Sequence, residues 1–181
     1  MSAPASEEAK EKKPRSAAAS LLSDIVALDI KLAVVFVVFW LIFHYIFGYQ
    51  RYLSSNMNPS LRDGDLVLYY RLDQKYSAGD IAVFSYHGRS LMARVVAAEG
   101  DTVDFDENGM LINGARVQED DIPYETTMFE EGVTFPVHVG IKQIFVLGDN
   151  RPHATDSRVF GCVDLEDVEG KVIGLLRRRN L

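Results

Sequence analysis

The residues able to do chemistry lie in a few short segments. Ser54-Ser55 follows a long apolar run, Arg94 stands in Ala93-Arg94-Val95-Val96, and charged groups crowd into Gly148-Asp149-Asn150-Arg151 and Asp156-Ser157-Arg158. A serine hydroxyl becomes an attacking group only when a neighbouring base takes its proton. Ser90 and Ser157 have no visible base, and Lys75, the first lysine after Ser55, sits in a polar turn instead of the apolar setting a lysine base requires. The four histidines, His44, His87, His138 and His153, show no close ligand spacing. The single cysteine, Cys162, excludes an internal disulfide framework and a Cys-rich zinc site, and is read as a small buried hydrophobe. No metal site and no cofactor is expected. With 26 acidic residues against 19 basic ones, and the basic ones scattered, the chain lacks the electrostatic footprint of a nucleic-acid binder.

These groups need a scaffold, and 181 residues suffice for one domain plus an appendage. Residues 1–20, rich in Ala, Ser, Glu and Lys with Pro4 and Pro14, are expected to form a disordered cytoplasmic tail. Residues 32–49 are almost wholly apolar. At about 1.5 Å per helical residue this run and its flanks nearly cross a hydrocarbon core of roughly 30 Å, so residues 21–50 are assigned to a membrane-associated and transmembrane helix. A buried helix of a soluble protein is the alternative, but Trp40 and the many Val and Phe residues would be hard to cover in so small a domain. Tyr45, Tyr49 and Tyr52 suit the membrane interface. For a cleavable signal peptide the run begins too far from Met1, is too long, and is not followed by a small-residue cleavage site. Residues 21–30 carry an apolar stripe and either continue the helix inward or lie along the membrane surface. Lys10, Lys12, Lys13, Arg15 and Lys31 precede the span, whereas Arg51 alone follows it closely. The positive-inside rule therefore predicts a single-pass protein of the cell membrane with a cytoplasmic N-terminus and an extracytoplasmic domain over residues 51–181.

Beyond residue 51 the pattern is mainly β. Residues 66–72, 80–86, 91–97, 103–105, 110–112 and 144–147 are short, apolar and mostly β-branched or aromatic. Asp63-Gly64, Asn108-Gly109 and Asn113-Gly114 are turn pairs, and they predict an antiparallel hairpin over residues 103–117. Residues 118–136, with Glu119, Asp120, Asp121, Glu125, Glu130 and Glu131, read as a solvated acidic loop, or else as a site for a basic partner. Arg177, Arg178 and Arg179 either touch anionic lipid or keep the C-terminal end soluble.

The order of the motifs says more than any one of them. After the span come Ser54-Ser55-Asn56-Met57-Asn58-Pro59-Ser60-Leu61, then Gly79-Asp80, then Ala93-Arg94-Val95-Val96-Ala97-Ala98-Glu99-Gly100-Asp101, then Gly148-Asp149-Asn150-Arg151 with Asp156-Ser157-Arg158 and Gly161. Four ordered boxes behind one membrane span resemble the type I signal peptidases, the Ser/Lys membrane peptidases. The resemblance implies an antiparallel β domain outside the membrane, an apolar surface resting on the bilayer, and a groove that takes an extended peptide as an added strand. It places Ser54, Met57, Pro59, Arg94, Asp149, Asn150, Arg151, Asp156, Ser157 and Arg158 in that groove or its structural support, with Ser54 as an oxyanion donor and Asp156 with Arg158 as an internal ion pair.

The same resemblance exposes a departure. The nucleophilic serine of the family falls on Asn56, its lysine base on Ala93, and the serine that orients the lysine on Ala154. An amide and two methyl groups cannot perform that acyl transfer. Ala97 and Glu99 also stand where Gly and Pro are usual, a pattern of natural drift rather than deliberate substitution. Ser55 does not rescue the site, because one step along an extended segment points its side chain to the opposite face. The expected function is a non-catalytic accessory factor that holds extended segments of secreted or surface proteins. The family's inactive members imply pilins as one client class, and membrane lipid is the other expected partner. An active signal peptidase is the alternative.

Overall fold

The computed structural model describes residues 17–119, 121–129 and 132–177. It divides into two units, residues 1–42 and 43–181. The expected tail lies outside the described residues up to residue 16, and residues 17–20 are already helical.

Helix α1 runs without interruption from Ala17 to Ile46, so residues 21–30 continue it rather than forming a separate element. Its stretch Leu21–Ile46 is long and apolar enough to cross a membrane: 26 residues span about 39 Å at the helical rise. The end of the helix corrects the expected boundary at residue 50. Phe47–Arg51 is strand β1, not helix. Gly48 weakens the helix, and any side chain there would collide with the ring of Tyr69, since a Cβ would come within 2.3 Å of Tyr69 Cε2. Tyr52 is likewise not an interface residue; it is 4% exposed and belongs to the core.

The second unit is almost entirely β. After β1 come β2 (Leu66–Tyr70), β3 (Ile81–Tyr86), β4 (Arg89–Ala98), β5 (Thr102–Asp106), β6 (Gly109–Ile112), β7 (Ala115–Arg116), β8 (Val137–His138) and β9 (Gln143–Leu147). A helical turn α2 (Ser157–Phe160), β10 (Val163–Asp164) and β11 (Val168–Leu176) complete it. The strands form a seven-stranded sheet in the order β1-β2-β11-β3-β4-β9-β10 and a four-stranded sheet in the order β7-β6-β5-β8. Every pairing is antiparallel.

Local sequence explains the hairpins. β6 and β7 meet through Asn113-Gly114, whose φ values of 54° and 79° are those of the tight hairpin turn that Asn-Gly favours. His87-Gly88 makes the same turn between β3 and β4, with φ values of 48° and 73°, although His-Gly is a weaker turn signal. The predicted hairpin over residues 103–117 is present as β5, β6 and β7.

Strand β11 lies between β2 and β3, yet its sequence hides it. Gly170 and Gly174 break the alternation of apolar residues, and the register shifts at both. Gly170 is required by a close approach: a Cβ there would sit 2.5 Å from the Tyr70 carbonyl oxygen.

Alternation along β3 and β4 separates two cores. Ala82, Phe84, Ala93 and Val95 pack with Tyr76, Ile144, Val146 and Val163. Val83 and Met92 turn to the other face and pack with Tyr52, Met57, Leu61, Val67 and Tyr69. A third cluster, centred on Val103, Met110, Phe145 and Leu147, joins the two sheets, and Cys162 packs against it half-buried. Burial pushes the Cys162 thiol up, with Asp164 adding to the effect, in keeping with an inert side chain.

Gly170→Ala is expected to destabilise the protein by about 1–3 kcal/mol, because the added methyl meets backbone that cannot swing aside. Denaturant unfolding of the detergent-solubilised chain, followed by tyrosine fluorescence, measures this; unchanged stability would contradict the close approach of β11 to β2.

Candidate functional site

The segment leaving β1 is held by its own side chains. The buried Tyr52 oxygen accepts the Met57 N–H at 2.8 Å and also makes a side-chain hydrogen bond with Ser54. Burial pushes the Tyr52 phenol up, so it stays a neutral hydrogen-bonding group. Ser54 Oγ accepts the Asn56 N–H at 3.2 Å. Met57 and Leu61 are wholly buried and anchor the turn between them, while Pro59, whose bond to Asn58 is cis, lies at the surface. The result fixes the backbone at Asn56 and leaves its side chain partly exposed.

Gly148 brings two of the positions of interest, Asn56 and Ala154, together. A Cβ on Gly148 would lie 2.3 Å from the Ala154 Cβ and 2.7 Å from the Asn56 carbonyl oxygen. Arg94 on β4 pairs with Leu147 on β9 as the end of that ladder, and Ala93 and Gly148 each lie one residue beyond it. Asn150 closes the arrangement, its N–H donating to the Asn56 carbonyl at 2.9 Å and its Nδ2 to the Ser55 carbonyl at 3.1 Å. Asn56 and Ala154 thus meet at Gly148, and both Ala154 and Ala93 are buried.

The charged groups of the last box are buried and mutually satisfied. Asp156, fully buried, accepts from the Gly148 N–H at 3.1 Å, from the Arg158 N–H at 3.1 Å, and from Arg158 Nε and Nη2 at 2.9 and 2.7 Å. Arg158 also donates to the carbonyls of Arg151 and Thr127 and stacks 4.1 Å from the centre of the Phe129 ring. Ser157 Oγ accepts the Val146 N–H at 3.0 Å. Arg94 makes a two-pronged pair with the buried Asp149, at 2.8 and 2.6 Å, and reaches Ser60 Oγ and the Gly79 carbonyl. Arg151 pairs with Glu119 and Thr126. Glu119 is therefore not a solvated acid, as its acidic stretch led us to expect, because a buried guanidinium requires a counter-charge. Arg177 is also tied down, donating to the Ser60 carbonyl at 3.0 Å, whereas Arg178 and Arg179 lie outside the described residues.

The cavity beside Asn56 has a volume of about 770 Å³, in the range of ligand sites. Gln50, Tyr52, Ser54 and Asn56 form one side, and Arg89 to Met92 of β4 form the other. Both sides carry free strand edges. β1 is the edge of its sheet, and the first half of β4 pairs only with β3, because β9 joins at Arg94. An extended peptide can add there through its own backbone. Of the residues singled out in the sequence, Ser54 and Asn56 line this groove; Arg94, Asp149, Asn150, Arg151, Asp156, Ser157 and Arg158 do not. Tyr86, His87, Ser90, Leu91 and Thr155 line it and were missed. Positions two apart on a strand share a face, so Leu91 could have been read from Ala93; the others required the fold.

Chemically the groove has hydroxyls without a partner base. No lysine lines it, and among the described lining residues no Ser or Thr hydroxyl bonds to a lysine or histidine nitrogen. Ser90 Oγ instead donates to Gln50 Oε1 at 3.2 Å.

Replacing Arg158 by Met leaves the Asp156 carboxylate buried without its partner, and a loss of about 3–5 kcal/mol is expected. The unfolding temperature of the full chain should drop sharply, and a variant as stable as the parent would show that the pair does not hold this region.

Comparison with known proteins identifies the family. The family model described as signal peptidase, peptidase S26, matches residues 25–176. A signal peptidase I of Bacillus caldolyticus is 31% identical over 70% of this chain and 79% of its own length. Another, from Bacillus licheniformis, is 30% identical over 68% and 74%, and the signal peptidase IB of Staphylococcus aureus strain Mu50 is 26% identical over 79% and 84%. A crystal structure of a signal peptidase I from Enterococcus faecalis V583 aligns with 55% of this chain and 97% of that one, at a TM-score of 0.46 and 30% identity. With its apolar N-terminal helix, its antiparallel β unit and a family match along most of its length, the chain belongs to the signal peptidase family, peptidase S26.

Proposed function

We propose that this chain binds extended segments of exported proteins at the membrane without cutting them. The observation that carries the reading is a carboxamide at Asn56 in the wall of a groove with free strand edges, with the Ala154 methyl close by at Gly148 and a buried methyl at Ala93. The Asn56 amide has no side-chain hydrogen bond within the described residues, so it is free to accept from and donate to a peptide backbone. Pilins are the client class we put first, because the resemblance to inactive family members favours surface-fibre subunits. Lipid is the second partner. Register places Tyr49 beside Leu68 and Leu66 beside Leu176, an exposed apolar face on β1, β2 and β11 suited to a bilayer surface. The proposed orientation, with the N-terminus cytoplasmic, rests on the basic residues before the span.

Incubated with a secretory preprotein, the purified chain should yield no product, some 10⁶-fold below a family member that has the serine and lysine. Photo-crosslinking from position 91 should still capture an extended segment of the same preprotein, and of a pilin. Cleavage abolished by Ser55→Ala would overturn the reading in favour of an active peptidase. Orientation is tested separately: protease added to the outside of intact cells should digest the β unit and spare a tag at the N-terminus.

A further inference from the structure

The groove differs in charge from the protein around it. The chain carries a net charge of −7, yet among the described residues no Asp or Glu lines this groove, whereas Arg51 and Arg89 do, with His87 beside them. In the acidic stretch and the last box, by contrast, the buried arginines are paired within the fold. Arg151 is held by Glu119 and Arg158 by Asp156, just as Arg94 on β4 is held by Asp149. Arg51 and Arg89 make no ion pair with an acidic side chain among the described residues, and both are exposed. Two guanidinium groups without an acidic partner, on residues that line a groove with free strand edges, offer planar, two-pronged sites for carboxylates.

Building on the peptide-binding reading, we infer that the groove selects extended segments carrying acidic side chains, with Arg51 and Arg89 as the specificity-determining residues. Backbone pairing with β1 and β4 holds any extended segment, since it is blind to side chains. Arg51 stands at the end of β1 and Arg89 at the start of β4, so each can reach a side chain projecting from a strand laid between them. Selectivity then arises from two solvent-exposed charge contacts, each modest and sensitive to salt. A basic segment meets like charge from both arginines and is rejected.

The test uses the full chain in a disc of zwitterionic lipid and three labelled extended peptides identical except at two positions, which are Asp, Asn or Lys. Fluorescence anisotropy should rank the Asp peptide tightest and the Lys peptide weakest. Arg51→Gln combined with Arg89→Gln should weaken the Asp peptide roughly three- to tenfold and leave the Asn peptide unchanged. Arg116→Gln, which removes the same charge from the other sheet, should change neither. Raising the salt should shrink the preference. Equal affinity for the Asp and Asn peptides, or a preference that survives the double variant, overturns the selectivity while leaving peptide binding intact. Failure of all three peptides to bind overturns peptide binding itself, and the selectivity with it. If the double variant instead loses only its attachment to anionic vesicles, the arginines face a membrane surface and the inference is wrong.

Discussion

The region around the groove depends on one buried carboxylate. Asp156 sits out of reach of water, and four donors from Gly148 and Arg158 satisfy it. Such a charge is tolerated only when it is fully paired, so its partners are constrained in turn. Arg158 must stay close, and its remaining donors bind the carbonyls of Arg151 and Thr127. The end of β9, the turn after it, the helical turn α2 and the long acidic stretch are thereby fastened at one point. The backbone at Gly148 is pulled close enough to Ala154 and Asn56 that no side chain fits there.

That constraint sets the form of the site through groups that do no chemistry. Its form comes from Asp156, Arg158, Gly148, Asn150 and the buried Met57, none of which is a nucleophile or a base. Ala93 and Ala154 are buried among neighbours that close around them, and Asn56 is positioned through its backbone by Asn150 and Ser54. The side chains at positions 56, 93 and 154 take no part in these supporting bonds. Beside the site lies a groove with unpaired strand edges and an amide in its wall.

Charge is distributed by the same logic. Buried guanidinium groups are each matched with a carboxylate, even where this draws Glu119 out of a stretch that looked solvated. Arg51 and Arg89, which have no such partner among the described residues, line the groove. Apolar side chains left without cover lie on β1, β2 and β11.

The sequence by itself determined the apolar helix, the mainly β character of the remainder, the Asn-Gly hairpin and the order of the motifs that hold Asn56, Ala93 and Ala154. Each of these is written in contiguous residues, through length, alternation, turn chemistry or motif order. Other features were not legible because they depend on distant partners. Phe47–Arg51 reads as the end of an apolar run until β2 pairs with it, and Gly48 is required only because Tyr69 lies across it. β11 has its alternation broken by glycines, of which Gly170 exists for the sake of Tyr70 on the neighbouring strand. Glu119 is one acid among many until Arg151, far along the chain, is buried beside it. The tertiary structure alone decided which residues line the groove, because a free strand edge is a property of what fails to pair, and pairing is settled between strands rather than within one.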